Sequence, residues 1–289
     1  MLQMGIDRYR SYDGKSLPFS RWEAEGAARA AIVAVHGLSG AASDFRAMGE
    51  GLPGSGIAVY APELRGQGND PEPKFRGDIR RSVDWQNDLL ALSSLVSARH
   101  PGAPVIWYGE SLGALIVLAT AAERPPDGIV LASPVVSLKG ARDLTAWKRF
   151  LIRVAIATRP GKRIALEELG DPADLTAQMT TDTTHASQMA QTPHYLREFT
   201  LRLLGQISSL VGRSGTLAQQ ITDTPVLVLY SPHDFFTSAE DVEAFFEKLA
   251  TPDKRKIRFD RSYHLILHDV QSAEAVDEVR RFVEGVAAR

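Results

Sequence analysis

The sequence predicts an α/β fold: a mostly parallel eight-stranded sheet flanked by helices, with a helical cap inserted after the sixth strand. Three observations carry that expectation. Short apolar runs rich in β-branched and aromatic residues, such as Ala30 to Val35 and Val105 to Tyr108, suit strands covered on both faces. Helix-period stretches alternate with these runs, the pattern of parallel strands joined by crossover helices. From about Val135 to Gln219 the alternation stops and helical stretches take over, which divides the chain into a core of residues 1–134 and 220–289 and a cap of residues 135–219.

In chain order, Ile6 to Tyr12 and Leu17 to Glu23 flank Asp13-Gly14, a hairpin signal that predicts an antiparallel sheet edge. Ala30 to Val35 is a buried strand ending in His36-Gly37-Leu38-Ser39-Gly40, where glycines let backbone N–H groups approach a ligand. His36 is expected to brace that loop rather than to do chemistry. Ile57 to Ala61 is the next strand and leads into Pro62-Glu63-Leu64-Arg65-Gly66-Gln67-Gly68. Val83, Leu89, Leu90, Leu92, Leu95 and Val96 are spaced as one helix. The strand from Val105 turns sharply at Ser111 into a helix over Leu112 to Ala122, and Gly128 to Ala132 follows as a strand.

Within the cap, helices are expected over Leu144 to Ala157, Ala173 to Met179 and Tyr195 to Leu210, separated by Pro160-Gly161, Gly170-Asp171-Pro172 and Thr192-Pro193. The first carries Trp147, Phe150, Leu151, Val154 and Ile156 among Lys148, Arg149 and Arg153. A basic helix with an apolar face can rest weakly on a membrane surface. Packing of that face on the protein itself is the favoured expectation. After the cap, Thr224 to Tyr230 is a strand, Asp241 to Leu249 a helix, Lys256 to Phe259 the last strand and Ser272 to Val286 the closing helix.

Composition narrows the functions available. The 289 residues are 44% hydrophobic and 24% charged, which excludes disordered and fibrous classes. A net charge of −2 and the lack of an arginine-rich arm argue against nucleic-acid binding. There is no cysteine, so disulfides, thiolate catalysis and cysteine metal sites are ruled out. Glu110 interrupts the longest apolar run, and Met1 to Arg10 lack the apolar stretch of a signal peptide, so a cytoplasmic protein is expected.

The chemistry centres on Gly109-Glu110-Ser111-Leu112-Gly113. A serine on so tight a strand-to-helix turn has cramped backbone angles, and its neighbours two residues away must lack side chains that would collide. The turn places Ser111 at a helix N-terminus, where unpaired N–H groups favour developing negative charge. Asp234 follows the Thr224 strand and His264 follows the last strand, so serine, aspartate and histidine occur in the chain order of the Gly-x-Ser-x-Gly hydrolases. In that arrangement His264 takes the Ser111 proton, Asp234 orients the imidazole, and the backbone N–H groups of Leu38 and Leu112 face the oxyanion. His268 and Asp260 are rivals for base and acid. His233 should point away, and His100, His185 and His194 have no strand end before them.

Together, His36-Gly37-Leu38, Glu63-Leu64-Arg65-Gly66-Gln67-Gly68, the Ser111 elbow, Asp234 and His264 resemble the α/β-hydrolase superfamily, and within it the branch of monoacylglycerol lipases and lysophospholipases. Glu63 and Gln67 stand where that branch usually has aspartate and histidine. Glu110 and Ala114 likewise depart from its usual Gly-His-Ser-x-Gly-Gly. The resemblance implies a serine hydrolase that cleaves a small-molecule acyl ester through an acyl-enzyme, with no metal and no cofactor. Thioesterase, aminopeptidase and C–C hydrolase chemistry use the same triad and stay open, as does a non-catalytic ligand-binding protein of the same fold. Oligomeric state is not legible.

Overall fold

A computed structural model describes residues 5–70, 72–139, 145–165, 168, 178–182, 192 and 194–289. Its main sheet has eight strands: β1 (Gly5–Arg10), β2 (Ser16–Trp22), β3 (Ala30–Val35), β4 (Ile57–Pro62), β5 (Val105–Glu110), β6 (Gly128–Ala132), β9 (Val226–Tyr230) and β10 (Lys254–Arg258). They lie in the order β1-β2-β4-β3-β5-β6-β9-β10. The hairpin β1–β2 adds to β4 antiparallel, and every later pairing is parallel. The Asp13-Gly14 signal thus marks the hairpin turn, where Gly14 takes φ 82°.

Alternation along the central strands divides the core into two layers. Ala31, Val33 and Val35 of β3, with Val105 and Trp107 of β5, face α2 (Ser82–Arg99), α3 (Leu112–Ala121) and α5 (Leu201–Ala218). Ala30, Ile32 and Ala34, with Ile106 and Tyr108, face α1 (Arg46–Gly51) and α7 (Ser272–Ala287). Helix α6 (Ala239–Lys248) adds Val242, Phe245 and Phe246 to the first layer. All the residues of α3 are buried, because it is clamped between the sheet, α2 and α5.

The segment between β6 and β9 differs from expectation in three places. Tyr195 to Thr200 does not begin a helix. Instead Glu198–Thr200 forms β8, antiparallel to β7 (Arg163–Ala165), and Thr200 then caps α5 by accepting from the Leu203 N–H at 3.1 Å. The cap side chain sets the start, and the apolar period carries the helix on to Ala218. Helix α4 (Ala146–Thr158) starts after Thr145, whose hydroxyl accepts from the Lys148 N–H, and the expected first residue Leu144 lies outside the described residues.

Most of the helix expected over Ala173 to Met179 also lies outside the described residues, as do Gly170-Asp171-Pro172, Pro193 and His185; Gln178 and Met179 form a turn. Third, α4 buries no residue. Trp147, Phe150, Leu151, Ile152 and Val154 are exposed, and the helix touches the protein through Ile156, which lies over Gly205 of α5. Packing of its apolar face on the protein is therefore not observed. A helix that spends its apolar side chains on solvent has another surface to meet or remains weakly held. Among the described residues, no helix is long and apolar enough to cross a membrane.

Candidate active site

Ser111 sits at the carboxyl end of β5 with φ 56° and ψ −115°, a conformation that side chains rarely adopt. The surrounding glycines explain how it is held. A β-carbon on Gly109 would lie 2.4 Å from the Gly113 carbonyl oxygen, and one on Gly113 would lie 2.0 Å from that of Val35. Strand β3, the turn and α3 therefore meet backbone to backbone. The Ser111 N–H donates to Ala132 O at 2.9 Å, tying the turn to β6.

His264 and Asp234 come to this point from the far half of the chain. His264 Nε2 is 2.9 Å from Ser111 Oγ, and Nδ1 is 2.7 Å from Asp234 Oδ2. Asp234 Oδ1 accepts from the N–H groups of Phe236 (2.7 Å) and Thr237 (3.2 Å), so the carboxylate is fully engaged on its own turn. Burial pushes Asp234 up, but the His264 imidazole and these N–H donors outweigh it and hold the carboxyl below its usual range. Burial pushes His264 down, and Asp234, with a smaller contribution from Glu110, raises it above the ordinary histidine value. The Phe236 ring packs edge-on against the imidazole at 4.8 Å, and Ser133 Oγ donates to the His264 carbonyl at 2.6 Å. Ser133, at φ 43°, was not distinguishable by sequence from any loop serine.

The other side of the Ser111 pocket is built by the loop after β3. Gly37 lies against the elbow, where a β-carbon would come 3.1 Å from Ser111 Cβ. Leu38 lines the cavity beside Ser111, and Leu112 is the first residue of α3, whose N–H the helix leaves without an acceptor. His36 is buried, with Nε2 accepting from Leu64 N–H at 3.1 Å and Nδ1 donating to Gly37 O at 2.8 Å. That pattern requires the neutral ring, and burial lowers the His36 pKa to match. Gln67 Oε1 accepts from Ser39 N–H, and Glu63 Oε2 from the N–H groups of Ala42 and Asn69. The two departures in this loop thus hold the β3 and β4 loops together.

Asp260, His233 and His100 fall elsewhere. His233 Nε2 contacts the Asp260 carbonyl at 3.0 Å, Asp260 itself is an exposed partner of Arg258, and His100 Nε2 pairs with Tyr60 OH at 2.7 Å. His268 and His194 both reach the cavity wall, which lies over Ser111 and has a volume of about 30 Å³. His194 had no strand end to mark it. Asp44 and Glu110 are also on that wall. Burial and the nearby Asp44 push Glu110 up to about 8, while burial and Glu63 push Asp44 up to about 7. In the sequence Glu110 shows only as a charge interrupting the apolar run and a departure from the elbow pattern, with nothing to assign it to the cavity; Asp44 carries no sequence signal. Among the described residues there is no cluster suited to hold a metal ion.

Comparison with known proteins places this geometry in a lineage. Human monoglyceride lipase is 25% identical over 258 residues, covering 88% of this chain and 81% of that protein. An uncharacterised Mycobacterium tuberculosis protein is 32% identical over 112 residues, and the match spans only 37% of each chain. The crystal structure of Paleococcus ferrophilus monoacylglycerol lipase superposes with a TM-score of 0.78 at 23% identity, covering 95% of this chain and 99% of that one. The family model described as serine aminopeptidase, S33 (Hydrolase_4), matches residues 26–271, and the chain belongs to that family, with the α/β-hydrolase fold.

Proposed function

We propose that this protein is a serine hydrolase that cleaves carboxylic esters through an acyl-enzyme, and that its substrate is a monoacylglycerol or lysophospholipid-like acyl ester. The observation that carries the reading is the unbroken relay from Ser111 Oγ through His264 to Asp234 at the carboxyl end of β5. In this reading His264 Nε2 takes the hydroxyl proton as Ser111 Oγ attacks the ester carbonyl. The N–H groups of Leu38 and Leu112 receive the oxyanion, each worth roughly 3 kcal/mol in the transition state. The imidazolium then protonates the departing alcohol, and a water activated by the same imidazole releases the acid and regenerates Ser111. Asp234 keeps Nδ1 protonated and stabilises the imidazolium. The likeness to human monoglyceride lipase supports the choice of acyl ester.

The segment 135–219 serves as a cap over this site, contributing Met179, Thr192 and His194 to the cavity wall. Its helix α4 presents Trp147 and Phe150, stacked at 5.5 Å, to a lipid surface, with Lys148, Arg149 and Arg153 beside them for anionic headgroups. The test is hydrolysis of p-nitrophenyl esters of graded acyl length by wild type and Ser111→Ala. Turnover that vanishes with the serine supports the hydrolase. Absence of turnover at every length, with no labelling by an organophosphonate, would leave a ligand-binding protein instead.

A further inference from the structure

Glu110 is the residue before the nucleophile, and it is 2% exposed with Oε1 lacking any hydrogen-bond partner. A buried carboxyl oxygen without a donor is costly, and natural interiors rarely leave one. Asp44 stands on the same cavity wall, with Oδ2 accepting a single bond from the Ala41 N–H at 2.9 Å. Neither lysine nor arginine occurs among the described residues lining this cavity. We propose that Asp44 and Glu110 form a cation subsite beside Ser111 that seats a primary ammonium group carried by the ligand. It rests on the hydrolase reading only for the ester to which that ammonium belongs, and it extends the substrate class to amine-bearing acyl esters.

The chemistry of the cavity wall selects the group. A primary ammonium brings three N–H donors with its charge, whereas a trimethylammonium group has no donor. A neutral hydroxyl brings no charge to favour the ionised form of the two carboxyls. Three neighbouring groups do not supply that charge. Glu63 adds to the repulsion on Asp44, burial keeps His194 below the ordinary histidine value, and His264 is committed to Asp234. Burial, with Glu63 acting on Asp44 and Asp44 acting on Glu110, raises the two carboxyls to about 7 and about 8, so both are partly protonated near neutrality. A bound ammonium favours their ionised forms, so binding expels a proton.

Calorimetry reads both properties without any turnover, so failure of the hydrolase reading and failure of the subsite are separate results. Butylammonium chloride is titrated into wild-type protein at pH 7.5 in two buffers of different ionisation enthalpy, with 1-butanol and butyltrimethylammonium as matched probes. Butylammonium should bind about tenfold tighter than butanol, the scale of one charge-assisted hydrogen bond, and release up to about one proton. Glu110→Gln, which keeps the shape, should abolish the preference and the proton release, and Asp44→Asn should weaken both. Equal binding of butylammonium and butanol overturns the subsite. So does a preference that survives in both variants, or butyltrimethylammonium binding as well as butylammonium.

Discussion

No side chain fits at Gly113, because a β-carbon there would lie 2.0 Å from the Val35 carbonyl oxygen and 2.9 Å from that of His36. The Ser111 turn is thus pressed against the strand that carries the loop of Leu38, and the two sides of the site cannot move apart independently. Gly113→Ala should force these backbones apart at a cost on the order of 3 kcal/mol, with activity lost in whatever remains folded. Gly37→Ala comes no closer than 3.1 Å to any atom, at Ser111 Cβ, so it should fold with a far smaller loss of stability and a reduced kcat. Denaturant melts of the two variants check the order; equal stability would show that the contact at Gly113 relaxes freely.

Ser111→Ala removes the hydroxyl that lies 2.9 Å from His264 Nε2. The loss in kcat should be on the order of 10^6 with KM little changed, because the other groups of the site remain in place. An organophosphonate should label wild type once and the variant not at all, read by intact mass.

The features legible in the sequence were those that physics fixes locally. Alternation of buried strands with helices, the glycines around Ser111 and the hairpin at Asp13-Gly14 each have one cheap backbone solution. The placement of Asp234 and His264 followed because both sit at strand ends in a parallel sheet. Features that depend on tertiary partners were not legible. β7 and β8 have three residues each and exist through one another, while Thr200 ends one strand and caps α5 in the same step. Asp44 and His194 reach the cavity from a 3-10 turn and an irregular segment that no periodicity marks. The exposed face of α4 defeated the ordinary expectation that apolar helix faces are covered by their own chain.

Asp234→Asn leaves an acceptor near His264 Nδ1 but removes the charge, and the rate should fall about 10^4-fold. The pH profile separates this from simple disorder. His264 must be neutral to act as base, so wild-type activity rises as pH climbs through its pKa, which Asp234 holds above the ordinary value against burial. Without that carboxylate the pKa falls, and the acid limb of kcat/KM should move to lower pH. An unmoved limb would mean that the limb reports another group.

Trp147 is exposed, whereas Trp22, Trp85 and Trp107 are buried, so intrinsic fluorescence changes on vesicles report mainly α4. Anionic vesicles at low salt should shift the emission to the blue. Charge reversal at Arg149 and Arg153, or high salt, should remove the shift, since the attraction is screened over about a Debye length. Emission that is insensitive to vesicles would leave α4 without a lipid partner.

Glu110 makes a stability prediction whose sign follows from its shift. Its folded pKa of about 8 lies above the ordinary value of 4.5, so its contribution is full below the ordinary value and is lost as pH rises through about 8. Asp44, raised from 3.8 to about 7, acts in the same direction. Asp13, held down at about 2 by Arg65, acts in the opposite sense, its contribution disappearing in acid. Wild-type Tm should therefore decline from about pH 5 to about pH 8. Glutamine at position 110 does not ionise, so the Tm of Glu110→Gln relative to wild type should climb by several degrees over that interval and level off above it. Scanning calorimetry across the range decides: a difference that stays flat would show that Glu110 is ionised throughout, and that the interior beside Ser111 already supplies the charge or water needed to hold it so.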